Sequence, residues 1–330
     1  MKVVSDHIDR IRDALAWLCS SNPRLNEFGR YCTTFGLQPQ RFLTDMPVRW
    51  NSTYLKLLNC LEYESPISGF YNMKMSELGR PTLTPDDWHV AKIFVQFLKV
   101  FYDSTVTLSG VYYPTSSLII HHIVEMFELL NNYREDEILG PVVVAMETKF
   151  KKYWSEIPFL YALGVIIDPR VKLSGLETLL DYLRENLSVD YSAQVTDIQT
   201  KLFEVFSTYE RSAELTSYLE AQFDSREKGF ELLVWWKTYG YYKYLILSHL
   251  AQDVLVISVS TVSLEQVFST TERIDEERRN SLTPDMVEVL ACVQDWEHAK
   301  KRLQNEMVDE QLIQNFSNLY VEESSGSNQI

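Results

Sequence analysis

Apolar residues recur at intervals of three and four positions along most of the chain, the spacing typical of amphipathic helices. The clearest example begins at Thr84, which can cap a helix, and continues with Pro85, which suits a first turn. Asp86 and Asp87 follow, where their charges face the positive end of the helix dipole. The face predicted to be buried carries Ala91, Phe94, Val95, Leu98, Phe101 and Tyr102. A long helix is therefore predicted from residue 84 onward.

The same pattern predicts other helices and the breaks between them. Helices are predicted over 7–30, from 51, after 113, through 146–154, over 230–236 and over 239–255. The first is interrupted near Ser20–Pro23, and the period fails at 43–50, where Pro47 favours an extended backbone. Asn51–Thr53 can cap the helix that follows. A loop is predicted near 188–192.

The composition supports a helical chain with no membrane segment. Glycine and proline number 11 each in 330 residues, too few for a loop-rich all-β fold. No stretch approaches the roughly 20 apolar residues that span a bilayer, so we expect a location in the nucleus or the cytoplasm. The cysteines stand far apart without a Cys-x-x-Cys pair, which predicts reduced core thiols and neither a disulfide framework nor a zinc site. They are Cys19, Cys32, Cys60 and Cys292.

The formal net charge of −15 argues against broad DNA affinity, because such affinity comes from neutralising phosphates with basic side chains. The charge is uneven, however, since residues 1–60 hold eight basic against five acidic residues. If the chain contacts nucleic acid, we expect the contact in these sixty residues. An ordinary solvated surface explains the imbalance equally well.

Four blocks of sequence resemble the hAT superfamily of cut-and-paste DNA transposases, especially the ricesleeper-like proteins of plants. Block one is Asp45–Tyr54, similar to the family's D-x-P-T-R-W-N-S-T-Y, and block two is Tyr113-Pro114-Thr115. Block three joins Lys149–Trp154 to Ile167–Leu173. Block four extends from Trp235 to Trp296 and resembles the family's C-terminal dimerisation region.

The resemblance implies a mainly α fold with a partial RNase-H-like core. The family inserts a large all-helical segment into that core, and its early strands have no counterpart in this sequence. We expect a remnant of the core at 1–80, the helical insertion at 81–228, the helical dimerisation region at 229–305 and a flexible acidic tail at 306–330.

Catalysis in the family uses three carboxylates that hold two divalent ions. Glu265 matches the third carboxylate, but the two Asp residues and the BED zinc finger have no counterpart. Leu264 replaces the family's Ser, and Thr271-Glu272 replace its small residues. A single Glu binds Mg²⁺ poorly, so we expect no metal site, no cofactor and no enzymatic activity. The alternative is a fragment of an active transposase.

Two sequence features suggest contact with nucleic acid. Trp50, beside Arg49, matches a family Trp implicated in stacking on DNA, although core packing also accounts for such a residue. Lys149–Trp154 mixes cations with aromatics and could contact phosphate, or it could form a helix with its lysines in water and Phe150 and Tyr153 or Trp154 inside. His121 and His122 point about 100° apart on a helix, so they cannot share a metal ion.

Block four is predicted to support association. Its aromatic density suits an interface core or a domain core, and the resemblance implies a homo- or hetero-dimer. The residues expected to contribute are Trp235, Trp236, Val267, Phe268, Leu290 and Trp296. The sequence therefore predicts a catalytically inactive nuclear protein that dimerises and could bind DNA. A helical protein-interaction module without any nucleic-acid role is the remaining alternative.

Overall fold

The computed structural model describes residues 2–40, 42, 50–110, 113–187, 189–207, 212–222 and 230–260. Regular structure in these residues is helical throughout, without a strand, and the predicted mainly α fold is confirmed. The helices are α1 (Lys2–Cys19), α2 (Asn22–Thr33), α3 (Trp50–Leu61), α4 (Glu64–Glu77), α5 (Pro85–Leu108), α6 (Ile119–Asn132), α7 (Gly140–Trp154), α8 (Phe159–Ile166), α9 (Lys172–Leu187), α10 (Ser192–Ser207), α11 (Ser212–Glu220), α12 (Leu232–Trp235), α13 (Tyr241–Lys243) and α14 (Leu245–Leu255). A π-helical turn, Trp236–Gly240, joins α12 to α13.

Several helix ends follow from local sequence. Thr84 and Asp87 form a reciprocal cap, in which the Thr84 N–H and hydroxyl each donate to the Asp87 carboxylate at 2.8 Å. The predicted loop near 188–192 is confirmed as the break between α9 and α10. The predicted start of α3 was wrong by one residue, because Trp50 is already helical and Asn51–Thr53 form the first turn.

The described residues divide into two compact units, of which the first comprises 1–104 and 125–152. Phe70 lies at the centre of an aromatic cluster in this unit, with ring centroids 5.6 Å from Phe28 and 5.7 Å from Tyr31. The Tyr31 hydroxyl would lie 2.6 Å from a Cβ at position 69, so Gly69 allows α2 and α4 to pack closely. Burial of these rings stabilises the N-terminal helices.

A buried carboxylate joins α1 to the start of α5 in the same unit. Asp87 is fully buried, and its Oδ1 lies 2.6 Å from His7 Nδ1 and accepts a hydrogen bond from Arg10 Nε at 2.7 Å. Burial alone would raise the pKa of Asp87, but the hydrogen bonds from Thr84, His7 and Arg10 together outweigh it and lower the pKa. The ion pair thus fixes the register between the two helices.

The second unit comprises 105–124 and 153–330, and its described part includes α8 to α14. Its central element is α8, where Ala162–Ile166 are all buried, and both α9 and α14 pack against it. Across the described residues, no helix is both long and apolar enough to cross a membrane.

Candidate functional site

The bend between α8 and α9 carries the Asp-Pro-Arg of block three. The buried Asp168 carboxylate accepts hydrogen bonds from Arg170 Nε at 3.0 Å and from Arg170 Nη2 at 2.7 Å. The Arg170 guanidinium also stacks over the ring of Phe230 at 4.7 Å. A carboxylate held by a two-pronged guanidinium is satisfied within the fold, so this geometry gives Asp168 a structural role.

Lys172 occupies the start of α9 in an uncommon conformation. Its φ of 58° lies in the left-handed region, which favours glycine. The buried ammonium group donates to the carbonyl oxygen of Tyr218 at 2.7 Å and to that of Ala221. Burial, together with the positive charge of Lys243, lowers the pKa of Lys172. Lys172 therefore satisfies carbonyls at the C-terminal end of α11, where a cation is favoured.

Trp236 connects block four to this bend. Its indole N–H donates to the carbonyl oxygen of Ile167 at 3.2 Å, and its ring lies 5.7 Å from that of Tyr218. The side chain is buried. Most of the Trp236 ring is thus enclosed by its own unit, whereas Trp235 is half-buried, and the contribution of both residues to dimerisation stays a prediction.

The π-helical turn depends on a close approach at Gly240. A Cβ at this position would lie 2.4 Å from the ring of Trp236 and 3.1 Å from that of Trp235. The two Trp rings meet edge to face, with centroids 5.0 Å apart. The helix predicted over 239–255 is interrupted at Tyr244, whose φ of −132° and ψ of 68° are not helical. The chain turns there and α14 packs back against the π-helical turn.

This turn creates an exposed apolar surface, which we call the aromatic face. Its residues are Leu233, Val234, Tyr239, Tyr241, Tyr242 and Leu245, and Tyr242 is 82% exposed. A groove of about 500 Å³ opens beside them and is lined in part by Leu233, Trp236 and Leu255. Leu233, Tyr241 and Tyr242 line this groove together, and exposed apolar residues that adjoin one another are typical of a protein-binding surface.

Block two contacts the end of α14. Thr115 Oγ1 accepts a hydrogen bond from the Val259 N–H at 3.2 Å, and Ser116 Oγ donates to the Val254 carbonyl oxygen at 3.4 Å. Parts of blocks two, three and four thus meet within the second unit, although they are far apart in the sequence. Sequence reasoning identified the blocks but missed Thr115, Ser116 and Lys172 as the side chains that join them. A run of three hydroxyl residues after Pro114 was the available signal.

Several predicted site residues lie outside the described residues. They are Arg49, Glu265, Val267, Phe268, Leu290 and Trp296. Trp50 is described: it is the first residue of α3 and its side chain is 41% exposed, so the alternative that it packs in the core is wrong.

The remaining candidates have ordinary structural roles. Phe150 packs against Phe127 with ring centroids 6.0 Å apart, and Lys151 forms an ion pair with Glu147 at 2.9 Å. Tyr153 points outward with 75% exposure, whereas Trp154 is half-buried, so of the two predicted alternatives Trp154 is the one that faces inward. The His121 and His122 rings lie 6.0 Å apart in an edge arrangement. Among the described residues, no three His, Cys, Asp or Glu side chains are grouped as metal ligands.

Three protein-family models match successive parts of the chain. The ZBED1 RNase-like helical domain matches residues 1–97, and the hAT-like transposase RNase-H fold matches residues 117–209. The hAT family C-terminal dimerisation region matches residues 214–297, which include the aromatic face. The observed helices therefore form a mainly helical fold derived from RNase H, as the resemblance implied.

Full-length relatives agree with these matches. The rice (Oryza sativa subsp. japonica) protein named Zinc finger BED domain-containing protein RICESLEEPER 2 is 26% identical, over 88% of this chain and 47% of its own length. RICESLEEPER 3 from rice is 27% identical over 88% and 44%, and DAYSLEEPER from Arabidopsis thaliana is 26% identical over 76% and 40%. The chain spans less than half the length of each. Over most of its length the chain is similar to hAT transposase-derived proteins, and residues 214–297 match their dimerisation region.

Proposed function

We propose that the chain acts by dimerisation through block four, with a second copy of itself or with a related chain. The observation that carries this proposal is the aromatic face: six apolar side chains stand exposed on the turn from α12 to α14. This face lies within the residues matched by the family's dimerisation region. Tyrosine is favoured at interface centres because it buries a large ring at a small cost in side-chain entropy.

Sedimentation velocity over a range of protein concentrations tests the dimer. Tyr242→Ser should raise the dimer dissociation constant at least tenfold, because a tyrosine that is exposed in the monomer and buried at an interface centre is a typical hot spot. Tyr153→Ser is the matched control, since Tyr153 is also a largely exposed tyrosine but lies outside the aromatic face. A wild-type chain that stays monomeric at high concentration would contradict the proposal. Equal effects of the two substitutions would place the interface elsewhere.

We further propose that the chain does not cut DNA. Asp87, Glu147 and Asp168 are buried carboxylates, and each is already engaged by a basic side chain. Leu264 and Thr271-Glu272 also depart from the family pattern around Glu265. The alternative is that the chain is a fragment of an active transposase.

A plasmid-nicking assay with Mg²⁺ or Mn²⁺ distinguishes the two. Wild-type protein and Glu265→Gln should give the same background of nicked plasmid. Metal-dependent nicking that the substitution abolishes would support the transposase fragment, because it would require the Glu265 carboxylate as a metal ligand.

DNA binding is a second candidate function, and the exposed ring of Trp50 favours it. An aromatic ring beside an arginine can stack on an unpaired base. At least one basic side chain of this unit is already engaged within the fold, since the Arg12 guanidinium donates hydrogen bonds of 2.7 Å to Asp9 and to Thr53. We therefore propose weak binding to single-stranded DNA, with a nuclear location to match. A fluorescently tagged chain spread through the cytoplasm would contradict that location.

Fluorescence anisotropy with labelled single-stranded DNA at low and high salt tests the binding. Trp50→Ala should weaken it about tenfold, since stacking contributes roughly 1–3 kcal/mol per base. Phe35→Ala is the matched control, because Phe35 is a similarly exposed aromatic of the first unit. Absence of binding at low salt would leave a helical protein-interaction module as the better description.

A further inference from the structure

Two consecutive buried hydroxyl side chains hold the C-terminal end of α14. Thr115 Oγ1 accepts the N–H of Val259 at 3.2 Å, and Ser116 Oγ donates to the carbonyl oxygen of Val254 at 3.4 Å. One bond therefore restrains the last turn of the helix, and the other restrains the chain that follows it. The pair, Thr115 and Ser116, is called the hydroxyl latch below.

The latch is itself firmly supported. The turn that contains it is closed by a hydrogen bond from the Leu118 N–H to the Thr115 carbonyl oxygen at 3.1 Å. A Cβ at position 164 would lie 2.7 Å from the Ser116 carbonyl oxygen, so α8 packs directly against the latch at Gly164. Because close packing fixes the position of this segment, its hydroxyl groups hold the backbone atoms of α14 and Val259 in a fixed position.

Apolar packing does not fix the chain after α14. Val256 is 85% exposed, and Ile257 is also exposed. The helix ends at Leu255, and the Ile257 N–H donates to the Val254 carbonyl oxygen at 3.2 Å, which closes only the local turn. The bond from the Val259 N–H to Thr115 Oγ1 ties this segment to a part of the unit that is distant in the sequence. A part-buried hydrogen bond to Thr115 therefore restrains a segment inside block four.

We propose that Thr115 is a positioning residue for the dimerisation region: by holding Val259, it sets the direction in which the chain leaves α14. This inference rests on the proposed dimer. It gives block two a role, because Thr115 precedes block four by more than a hundred positions and yet bonds to Val259 within it.

Paired substitutions at position 115 test the inference. Thr115→Val keeps the shape of the side chain and removes the acceptor, whereas Thr115→Ser keeps the hydroxyl. Hydrogen exchange at the Val259 amide should accelerate in the Val variant and stay near wild type in the Ser variant. The dimer dissociation constant should rise about threefold in the Val variant alone, because a smaller fraction of its chains then holds Val259 in the position that dimerisation requires.

Gly164→Ala perturbs the hydroxyl latch through α8, which packs against Ser116. An added Cβ must displace the Ser116 carbonyl, so we expect faster exchange at Val259 and weaker dimerisation without any change at position 115. Faster exchange at Val259 with an unchanged dimer in Thr115→Val would overturn the positioning role while leaving the proposed dimer intact. Unchanged exchange would overturn the latch itself. A monomeric wild type would overturn the proposed dimer and this inference together.

Discussion

The indole N–H of Trp236 donates to the carbonyl oxygen of Ile167 at 3.2 Å, although the two residues are 69 positions apart. The Tyr218 hydroxyl lies 2.8 Å from the same oxygen. One carbonyl at the bend between α8 and α9 therefore joins three segments of the second unit. Trp236 supports the aromatic face from beneath, and the exposed tyrosines around it remain available to a partner.

Replacing Trp236 with Phe should lower the free energy of unfolding by about 1–2 kcal/mol. The ring is largely retained, but the hydrogen bond is lost and a small void remains. Trp235→Phe should cost less than about 0.5 kcal/mol, because that side chain is only half-buried. Urea denaturation followed by circular dichroism measures both. Equal losses in the two variants would show that the bond to Ile167 does not matter.

The Asp87 cluster makes stability depend on pH. Because the pKa of Asp87 is lowered in the folded state, its contribution is fully present above the unfolded-state value of about 3.9 and is lost as the pH falls through the folded value. Asp87→Asn should cost about 2 kcal/mol at pH 7, and its deficit should shrink below pH 4. Asp86→Asn is the control, since Asp86 is exposed at the same helix start. A deficit independent of pH would contradict the assignment.

Most helices could be predicted because their signals are local. The start of α5 is defined within one turn by the capping residues Thr84, Pro85 and Asp87. The apolar residues that follow at helical spacing predict the rest of the helix. The π-helical turn could not be predicted in this way. It depends on the fit of Gly240 against the ring of Trp236, and helical periodicity contains no information about that contact.

The candidate site shows the same division. The exposed tyrosines lie in a block that the sequence already associated with dimerisation. The bonds between Thr115 and Val259, and between Trp236 and Ile167, join residues far apart in the chain, and a single sequence cannot pair them. The predicted roles of Glu265, Val267, Phe268, Leu290 and Trp296 stay predictions, since these residues lie outside the described part.

Gly240→Ala should destabilise the second unit by about 1–3 kcal/mol. The new Cβ would lie 2.4 Å from the Trp236 ring, so the ring or the helix must move and the π-helical turn is distorted. Thr238→Ala, at an exposed position of the same turn, is the control. Thermal unfolding, monitored by near-ultraviolet circular dichroism, should show a lower midpoint and a changed tryptophan signal in the Gly240 variant alone. A gain in stability would indicate that the turn relaxes to ordinary α-helix.

Lys172 combines two opposing effects, which substitution can separate. Its left-handed backbone costs about 1 kcal/mol in any residue with a Cβ, whereas its ammonium group satisfies two carbonyls at the end of α11. Lys172→Met loses those bonds and keeps the strain, so it should be the less stable variant, by about 2 kcal/mol relative to wild type. Lys172→Gly loses the bonds but relieves the strain, and should recover about half of that deficit.

Urea denaturation at neutral pH should therefore rank wild type above Lys172→Gly, and Lys172→Gly above Lys172→Met. Lys149→Met, an exposed lysine of α7, should match wild type within about 0.5 kcal/mol. A Gly variant more stable than wild type would mean that backbone strain outweighs the bonds to the carbonyls. The ammonium group of Lys172 would then not be what holds the end of α11 against α9.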